Sequence, residues 1–440
     1  MGTAAMGSSP WQNWSGTESA EPARTVRPGS ADELADAVTA AAEDGLRVKA
    51  VGAGHSFSGI AVPDGVRLDL GALDQVVSVE QRTGLVTVEA GMPLWRLNEI
   101  LDAHGLALEN MGDIDRQTIS GAISTGTHGT GDRYRGFAWQ VKGLKLVLAD
   151  GSIVQCTEFE RPELFAAARL GLGAIGVITE VTLQCVPAFR LKAVERPERL
   201  DAVLEGLDEL VSENDHFEFY WFPHTERTLT KRNNRYAMSE PNRSPSALSY
   251  WWNEGFTENA LFEASNRVGA RFPGMVPGLN RLAGRVWSAR EYTDVSHRVF
   301  ASPRSVVFRE MEYALPREAL PDVLRELKLT VEREDHTVSF PVEVRFAAAD
   351  EIWLSTAHGR RTAYVAVHQY HRHDHERFFA DCAAIFDAAE GRPHWGKMHS
   401  LDAQALTKRY EHFEDFLRVR GETDPDRRFA NPYLDRVLGP

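Results

Sequence analysis

Residues 47–54 read RVKAVGAG, an alternating strand that runs straight into glycines, and the segment before it is helical. Ser30 is placed to cap that helix with Glu33 three residues on. Leu34, Ala35, Val38, Ala41 and Ala42 fall near helical spacing, and Gly45 ends it. A helix that delivers the chain to a strand and then to a glycine-rich loop opens a fold of mixed helix and sheet. The loop itself, VGAGHSFSG over 51–59, narrows the choice further. Gly52 and Gly54 fit the first two positions of GxGxxG, but position 57 is Phe and the next glycine is Gly59. The following IAVPDGV contains Pro63 and Gly65, so it cannot form the helix on which a dinucleotide fingerprint rests its phosphates. A nicotinamide-type Rossmann site is therefore disfavoured. A nest of backbone N–H groups can still hold an anion without a helix.

Further along, VRLDL, VVSVE and LVTVE read as strands, and PLWRLNEILDAHG as a helix with Leu94, Leu97, Ile100 and Leu101 on one face. LKLVLADGSIVQC carries two alternating runs around Asp150-Gly151, a hairpin signal. LGAIGVITEVTLQCVP closes this half, with a boundary near Pro187. RLDAVLEGLDELVSEN is helical, a polar stretch near 239–249 reads as a loop, and VVFREMEYAL, FPVEVRFA and TAYVAVHQYH alternate as strands of one sheet with helices on a face. The second half is thus α+β.

Composition removes several functions. With 49 basic and 63 acidic side chains the formal net charge is -14, the wrong sign for neutralising phosphates, so nucleic acid is not an expected partner. Cys156, Cys185 and Cys382 are too few and scattered for a disulfide framework or a metal site. No signal peptide and no run of about 18 apolar residues is evident, so the expected location is cytoplasmic with no membrane span. HQYHRHDHE, residues 368–376, would set its histidines in a row along a strand end, which suits a solvated turn better than a zinc site, and no metal is expected.

Two more segments carry chemistry. ISGAISTGTHGTG over 119–131 alternates glycine with Ser and Thr and can lie flat against a planar or phosphorylated ligand, and LGLGAIG over 170–176 adds a third glycine run. Glu343 and Arg345 in FPVEVRF are two apart, so both project from one strand face, and His368 and Tyr370 do the same on the neighbouring run.

Taken together, RPGSADELADAV, VGAGHSFSG, SGAISTGTHGTG, GAIGVITEVTL, PVEVRF, the HWGK of residues 394–397 and FANPYLDRVLGP resemble the vanillyl-alcohol-oxidase-type flavoproteins, within them the aldonolactone oxidoreductases. The resemblance implies an α+β chain with a two-subdomain FAD-binding domain of the p-cresol methylhydroxylase (PCMH) type over residues 1–187. A substrate domain with a mixed or antiparallel sheet would follow over 188–390, and a segment over 391–440 would return to the flavin. It implies FAD tethered through its 8α-methyl group to His55, with Gly52, Ala53, Gly54, Ser56, Phe57 and Ser58 around the tether. Gly112, Asp113, Ser120, Gly121, Ser124, Thr125, Thr127, His128, Gly129, Gly176, Val177 and Ile178 complete the implied cofactor set. In the implied reaction a sugar lactone loses a hydride from the carbon beside its ring carbonyl. Glu343 is the implied base, Arg345 the group that holds the neighbouring oxygen, and Lys397 the cation at the flavin's N1 edge. Asp113, His368, Tyr370, His394 and Trp395 are implied in the substrate pocket. A polyol is the alternative substrate, in the manner of alditol oxidases acting on xylitol or sorbitol to give the aldose and hydrogen peroxide. Dioxygen or a cytochrome would take the electrons.

Overall fold

The computed structural model describes residues 5–6, 9–246, 261–286, 289–302 and 305–440. Its opening helix, Ala31–Glu43, begins as the sequence predicts: Ser30 accepts a bond from the Glu33 N–H, and Leu34, Ala37, Val38 and Ala41 are buried. The helix packs beside two small sheets. In one, Arg24–Val26 and Val48–Val51 flank Val66–Asp69 in parallel. The other is antiparallel, in the order Ile153–Thr157, Val141–Val147, Val177–Gln184, Leu85–Glu89, Val76–Glu80. Asp150-Gly151 turns the hairpin, with Gly151 at φ +82.

Residues beyond Pro187 build one eight-stranded antiparallel sheet. Its order is Arg290–Val295, Arg190–Arg199, Arg227–Tyr236, His216–Trp221, Val342–Ala347, Thr362–Tyr370, Phe308–Pro316, Arg392–Pro393. Strand alternation divides it sharply. Phe217, Phe219, Trp221, Tyr313, Val342, Val344, Phe346, Val365 and Val367 face a core shared with Leu320, Leu324, Leu327, Phe378, Cys382 and Phe386 from the helices Leu320–Arg333 and Glu376–Ala388. Each fully buried side chain of this size is worth about 1.5–3 kcal/mol. A one-residue slip would put this apolar set on the other side, so the core fixes the register. The residues between them must emerge on the opposite face, and there the polar side chains gather.

The C-terminal residues do not extend this sheet. Trp395, Leu406, Tyr410, Phe413, Phe416, Phe429, Tyr433 and Leu434 pack into the core of the first half, so the chain closes on itself.

Three segments differ from the sequence reading. Ile119–Ser124, at the head of the second glycine-rich run, is a short helix whose Ile119, Ala122 and Ile123 are buried, so packing outweighs the poor helix propensity of its glycine and serines. RLDAVLEGLDELVSEN is divided at Gly206 into Leu200–Glu205 and Leu207–Ser212. The histidine-rich turn is only partly solvated: His373 is buried and its ring faces Gly269, while His371 bonds the Val307 carbonyl. Residues 239–246 carry no helix or strand, as expected of a loop, and 247–249 lie outside the described residues.

Candidate active site

A cleft of about 880 Å³, counting its open mouth, lies between the two small sheets of the first half. The three glycine-rich segments converge on it. Gly52, Ala53, Gly54, His55 and Ser56 line one side, Ser120, Gly121, Ser124 and Thr125 another, and Gly176, Val177 and Ile178 a third. The loop that carries His55 is braced from behind. The Asn13 side chain donates to the Ser56 carbonyl at 2.9 Å, and the Trp14 N–H to the Gly54 carbonyl at 2.8 Å. Gly54 needs its glycine, with φ +70. Burial, and after it the Lys397 and Arg116 cations, lowers the His55 pKa, so its imidazole is neutral over an extended pH range.

The cleft fits a flavin nucleotide on several counts. A Cβ on Gly52 would stand 2.3 Å from Thr118 Oγ1, and one on Gly176 would stand 2.9 Å from the Val147 carbonyl oxygen, so only glycine leaves these walls intact. Thr118 Oγ1 is buried without a hydrogen-bond partner among the described residues and lines the cleft. Lys49, also lining it, is 4% exposed and, among the described residues, donates only to the carbonyls of Phe429 at 2.6 Å and Gly173 at 3.5 Å. Burial lowers its pKa to about 7. A buried amine among backbone dipoles with no carboxylate bonded to it suits a ligand that brings negative charge, as a nucleotide diphosphate does.

From the cleft, two segments lead to the polar face of the large sheet. One is the loop after Ser124, which carries His128 to Glu312 at 3.2 Å and stacks it on Tyr364 with ring centroids 3.5 Å apart. The other is HWGK: the Phe57 N–H donates to the Gly396 carbonyl at 2.7 Å, and the Lys397 ammonium bonds the Glu310 carboxylate. On the sheet itself Glu343 and Arg345 meet, and Asp113 from the first half reaches Arg345 at 3.1 Å. Glu218 Oε2 stands 3.4 Å from Arg345 Nε, and the Tyr220 hydroxyl lies 3.0 Å from Glu343 Oε1. Lys231 pairs with Glu218 at 3.1 Å. Against burial, the acidic neighbours Asp113, Glu343 and Glu218 hold the Arg345 guanidinium firmly charged. Its Nε and Nη2 make these contacts as ion pairs rather than as well-aligned hydrogen bonds among the described residues.

A second cluster sits on the strand Phe308–Pro316. Although burial opposes it, Lys397 and His368 hold Glu310 down to about 2, and His128 and Lys397 keep Glu312 well below the carboxylate range. Burial pushes His394 down to about 4. His394 Nδ1 accepts the Gly396 N–H at 3.0 Å, so a neutral His394 ring carries its proton on Nε2. The three residues His128, Glu312 and His394 lie close enough to share an ion, yet that tautomer suits a hydrogen-bond donor better than a ligand.

Not every expected residue lines the cleft. Phe57 is 4% exposed and packs with Phe308 and Phe340, and the Ser58 hydroxyl donates to the Trp395 carbonyl. A Cβ on Gly112 would meet Thr127 Cγ2 at 3.2 Å and the His128 carbonyl oxygen at 3.3 Å, and one on Gly129 would meet the Met111 carbonyl oxygen at 2.3 Å. These glycines let two loops pass in contact. Thr127, bonded to Gln117, stands in the same crossing. His368 faces the polar side, bonded to the Pro341 carbonyl and 3.5 Å from Glu310. Tyr370 points away, its hydroxyl on Glu263, and Trp395 is fully buried with its indole N–H on the Leu354 carbonyl. Sequence reasoning missed Lys49, Thr118, Glu218, Tyr220, Lys231, Glu310 and Glu312. The alternation in HFEFYW and FREMEYALP contains four of them and would have marked their face.

Comparison with known proteins agrees with this construction. A family model described as D-arabinono-1,4-lactone oxidase matches residues 181–437, and one described as FAD binding domain matches residues 22–157. The chain is 44% identical to an L-gulono-1,4-lactone dehydrogenase of Mycobacterium tuberculosis over 98% of this chain and 99% of that one. It is 35% identical to an L-gulonolactone oxidase of Bos taurus, covering 97% and 98%. Among solved structures, cholesterol oxidase from B. sterolicum shares the fold with a TM-score of 0.83 at 16% identity, covering 100% of this chain and 98% of that one. The chain therefore belongs to the D-arabinono-1,4-lactone oxidase family and is an FAD-dependent oxidoreductase that acts on CH–OH groups.

Proposed function

We propose that this enzyme oxidises an aldono-1,4-lactone of the L-gulono type at the hydroxyl-bearing carbon beside the ring carbonyl. The observation that carries the reading is the buried Arg345 guanidinium, held charged on the polar face of the sheet directly beside the Glu343 carboxylate. Such a pair can hold one substrate oxygen by a planar donor while a carboxylate takes the neighbouring hydroxyl proton. Charge favours a neutral substrate. Asp113, Glu218 and Glu343 surround Arg345 and Lys231, leaving the cluster one negative charge in excess, so a substrate carboxylate would be repelled. FAD, when bound, supplies the hydride acceptor. Glu343 is the general base, Arg345 orients the substrate, and Lys397, held by Glu310, provides a fixed cation at the cleft's sheet-side edge. Asp113, His368 and His394 are the proposed substrate-pocket residues, Asp113 through its contact with Arg345 and His368 beside Glu310. The neutral, braced His55 is the covalent anchor, formed through a ring nitrogen.

Under anaerobic conditions L-gulono-1,4-lactone should bleach the bound flavin, and Glu343→Gln should slow that bleaching by about 10²-fold or more. Bleaching by xylitol but not by the lactone would overturn the substrate assignment. Yellow colour should stay with acid-precipitated wild type and leave His55→Ala, and retention in the variant would refute the anchor. Reoxidation by air against cytochrome c identifies the acceptor.

A further inference from the structure

We infer that Tyr220, Glu218 and Lys231 form a path by which the proton collected by Glu343 leaves the site. The inference rests on Glu343 being the base of the proposed reaction. It comes from the position of one hydroxyl between two carboxylates: Tyr220 Oη is 3.0 Å from Glu343 Oε1 and 3.2 Å from Glu218 Oε1. A hydroxyl has one proton to donate and two lone pairs to accept with, so it can bond only one of the two as donor at a time. Rotation of the O–H exchanges the two arrangements.

The strands hold this geometry. Tyr220 pairs directly with Glu343 across neighbouring strands, and Glu218 with Lys231 on the other side. Glu218 and Tyr220 share a face because they are two apart, while Phe217, Phe219 and Trp221 anchor the strand in the core at 0%, 0% and 1% exposure. The path also leads outward. The Glu218 side chain is 8% exposed and that of Lys231 16%.

The proton count balances. The substrate hydroxyl proton moves to Glu343. The Glu343 proton then passes to Tyr220 Oη as the Tyr220 proton passes to Glu218, leaving tyrosine neutral and Glu343 anionic for the next cycle. Glu218 releases the proton to water at the Lys231 end. Burial and the two flanking carboxylates keep the Tyr220 hydroxyl from ionising, as a shuttle requires. Lys231 and Arg345 outweigh burial and lower the Glu218 pKa, so Glu218 does not retain the proton. Asp113 acts on Glu218 in the opposite sense, and Glu195, itself paired with Arg290, acts on Lys231.

The test separates one turnover from many. Tyr220→Phe removes the shuttle and keeps the ring, and Glu218→Gln removes the second acceptor. Flavin reduction is followed by anaerobic stopped flow with whichever of L-gulono-1,4-lactone or xylitol bleaches the wild type, so failure of the substrate reading shows in the wild type alone. In both variants the single flavin reduction, in which Glu343 still accepts one proton, should be slowed far less than turnover, whatever the loss of the Glu218 charge beside Arg345 does to both rates alike. Their steady-state turnover should fall about tenfold or more, short of the ~10²–10⁴ that general acid–base catalysis contributes as a whole, and show a larger solvent deuterium isotope effect. Equal slowing of the single reduction and of turnover would overturn the path and leave Tyr220 a positioning residue for Glu343. Unchanged turnover and an unchanged isotope effect in both variants would overturn it as well.

Discussion

Replacing Glu310 with Gln should destabilise the protein by about 3–5 kcal/mol, the cost of removing one partner from a buried ion pair. Glu310 is 5% exposed, its Oε2 accepts the Lys397 ammonium, and its Oε1 lies 3.5 Å from His368 Nε2. At the usual charge-assisted separation of about 2.8 Å and an effective dielectric near 20, the attraction is about 6 kcal/mol. Both ions lose several kcal/mol on leaving water, so the attraction at most offsets their combined desolvation: the intact pair is close to neutral at best and the broken pair is not. Lys397→Met alone should also be costly, because Glu310 and Glu312 then share the site without their common cation. The double variant Glu310→Gln/Lys397→Met buries neither charge and should cost no more than about 2 kcal/mol, so with each single variant at about 3 kcal/mol or more the coupling energy is about 4 kcal/mol or more. Urea unfolding followed by tryptophan fluorescence, on proteins of equal flavin content, supplies all four values. If the two single effects add to the double effect within about 0.5 kcal/mol, the buried-pair account is wrong.

Gly129→Ala should destabilise by about 1–3 kcal/mol, the range for overpacking, because its Cβ would lie 2.3 Å from the Met111 carbonyl oxygen and 2.4 Å from Asn110 Oδ1. A thermal melt within 1 °C of wild type would refute it. The protein should also lose stability as pH falls from about 6.5 to 4. His216 and His394 are both depressed to about 4 by burial from 6.5, so over that window the unfolded chain binds protons that the folded one does not, at about 1.4 kcal/mol per pH unit for each fully linked proton. Below pH 4.5 the loss continues as Glu310, held to about 2, resists protonation in the folded state. His216→Gln should flatten the upper part of this limb, and an identical slope in the variant would show that His216 does not contribute.

Much of this protein was determined by local pattern. Ser30 and Glu33 set the first helix, and Asp150-Gly151 the hairpin, because caps and turns depend on residues within a few positions. The two-residue spacing of Glu343 and Arg345 settled that they share a strand face, since side chains alternate with period two. The glycine runs marked the cleft because a missing Cβ is a property of the residue itself. Tertiary structure decided who stands beside whom. Tyr220 meets Glu343, and Glu218 meets Lys231, through a register imposed by apolar side chains on the far face of the sheet. Asp113 reaches Arg345 from a loop more than two hundred positions away, and Lys49 is isolated from water only once Phe429 closes over it. Periodicity specifies the direction of a side chain, but its partner depends on burial summed over the whole core, and the same burial moves the ionisation of His55, Lys49 and His394.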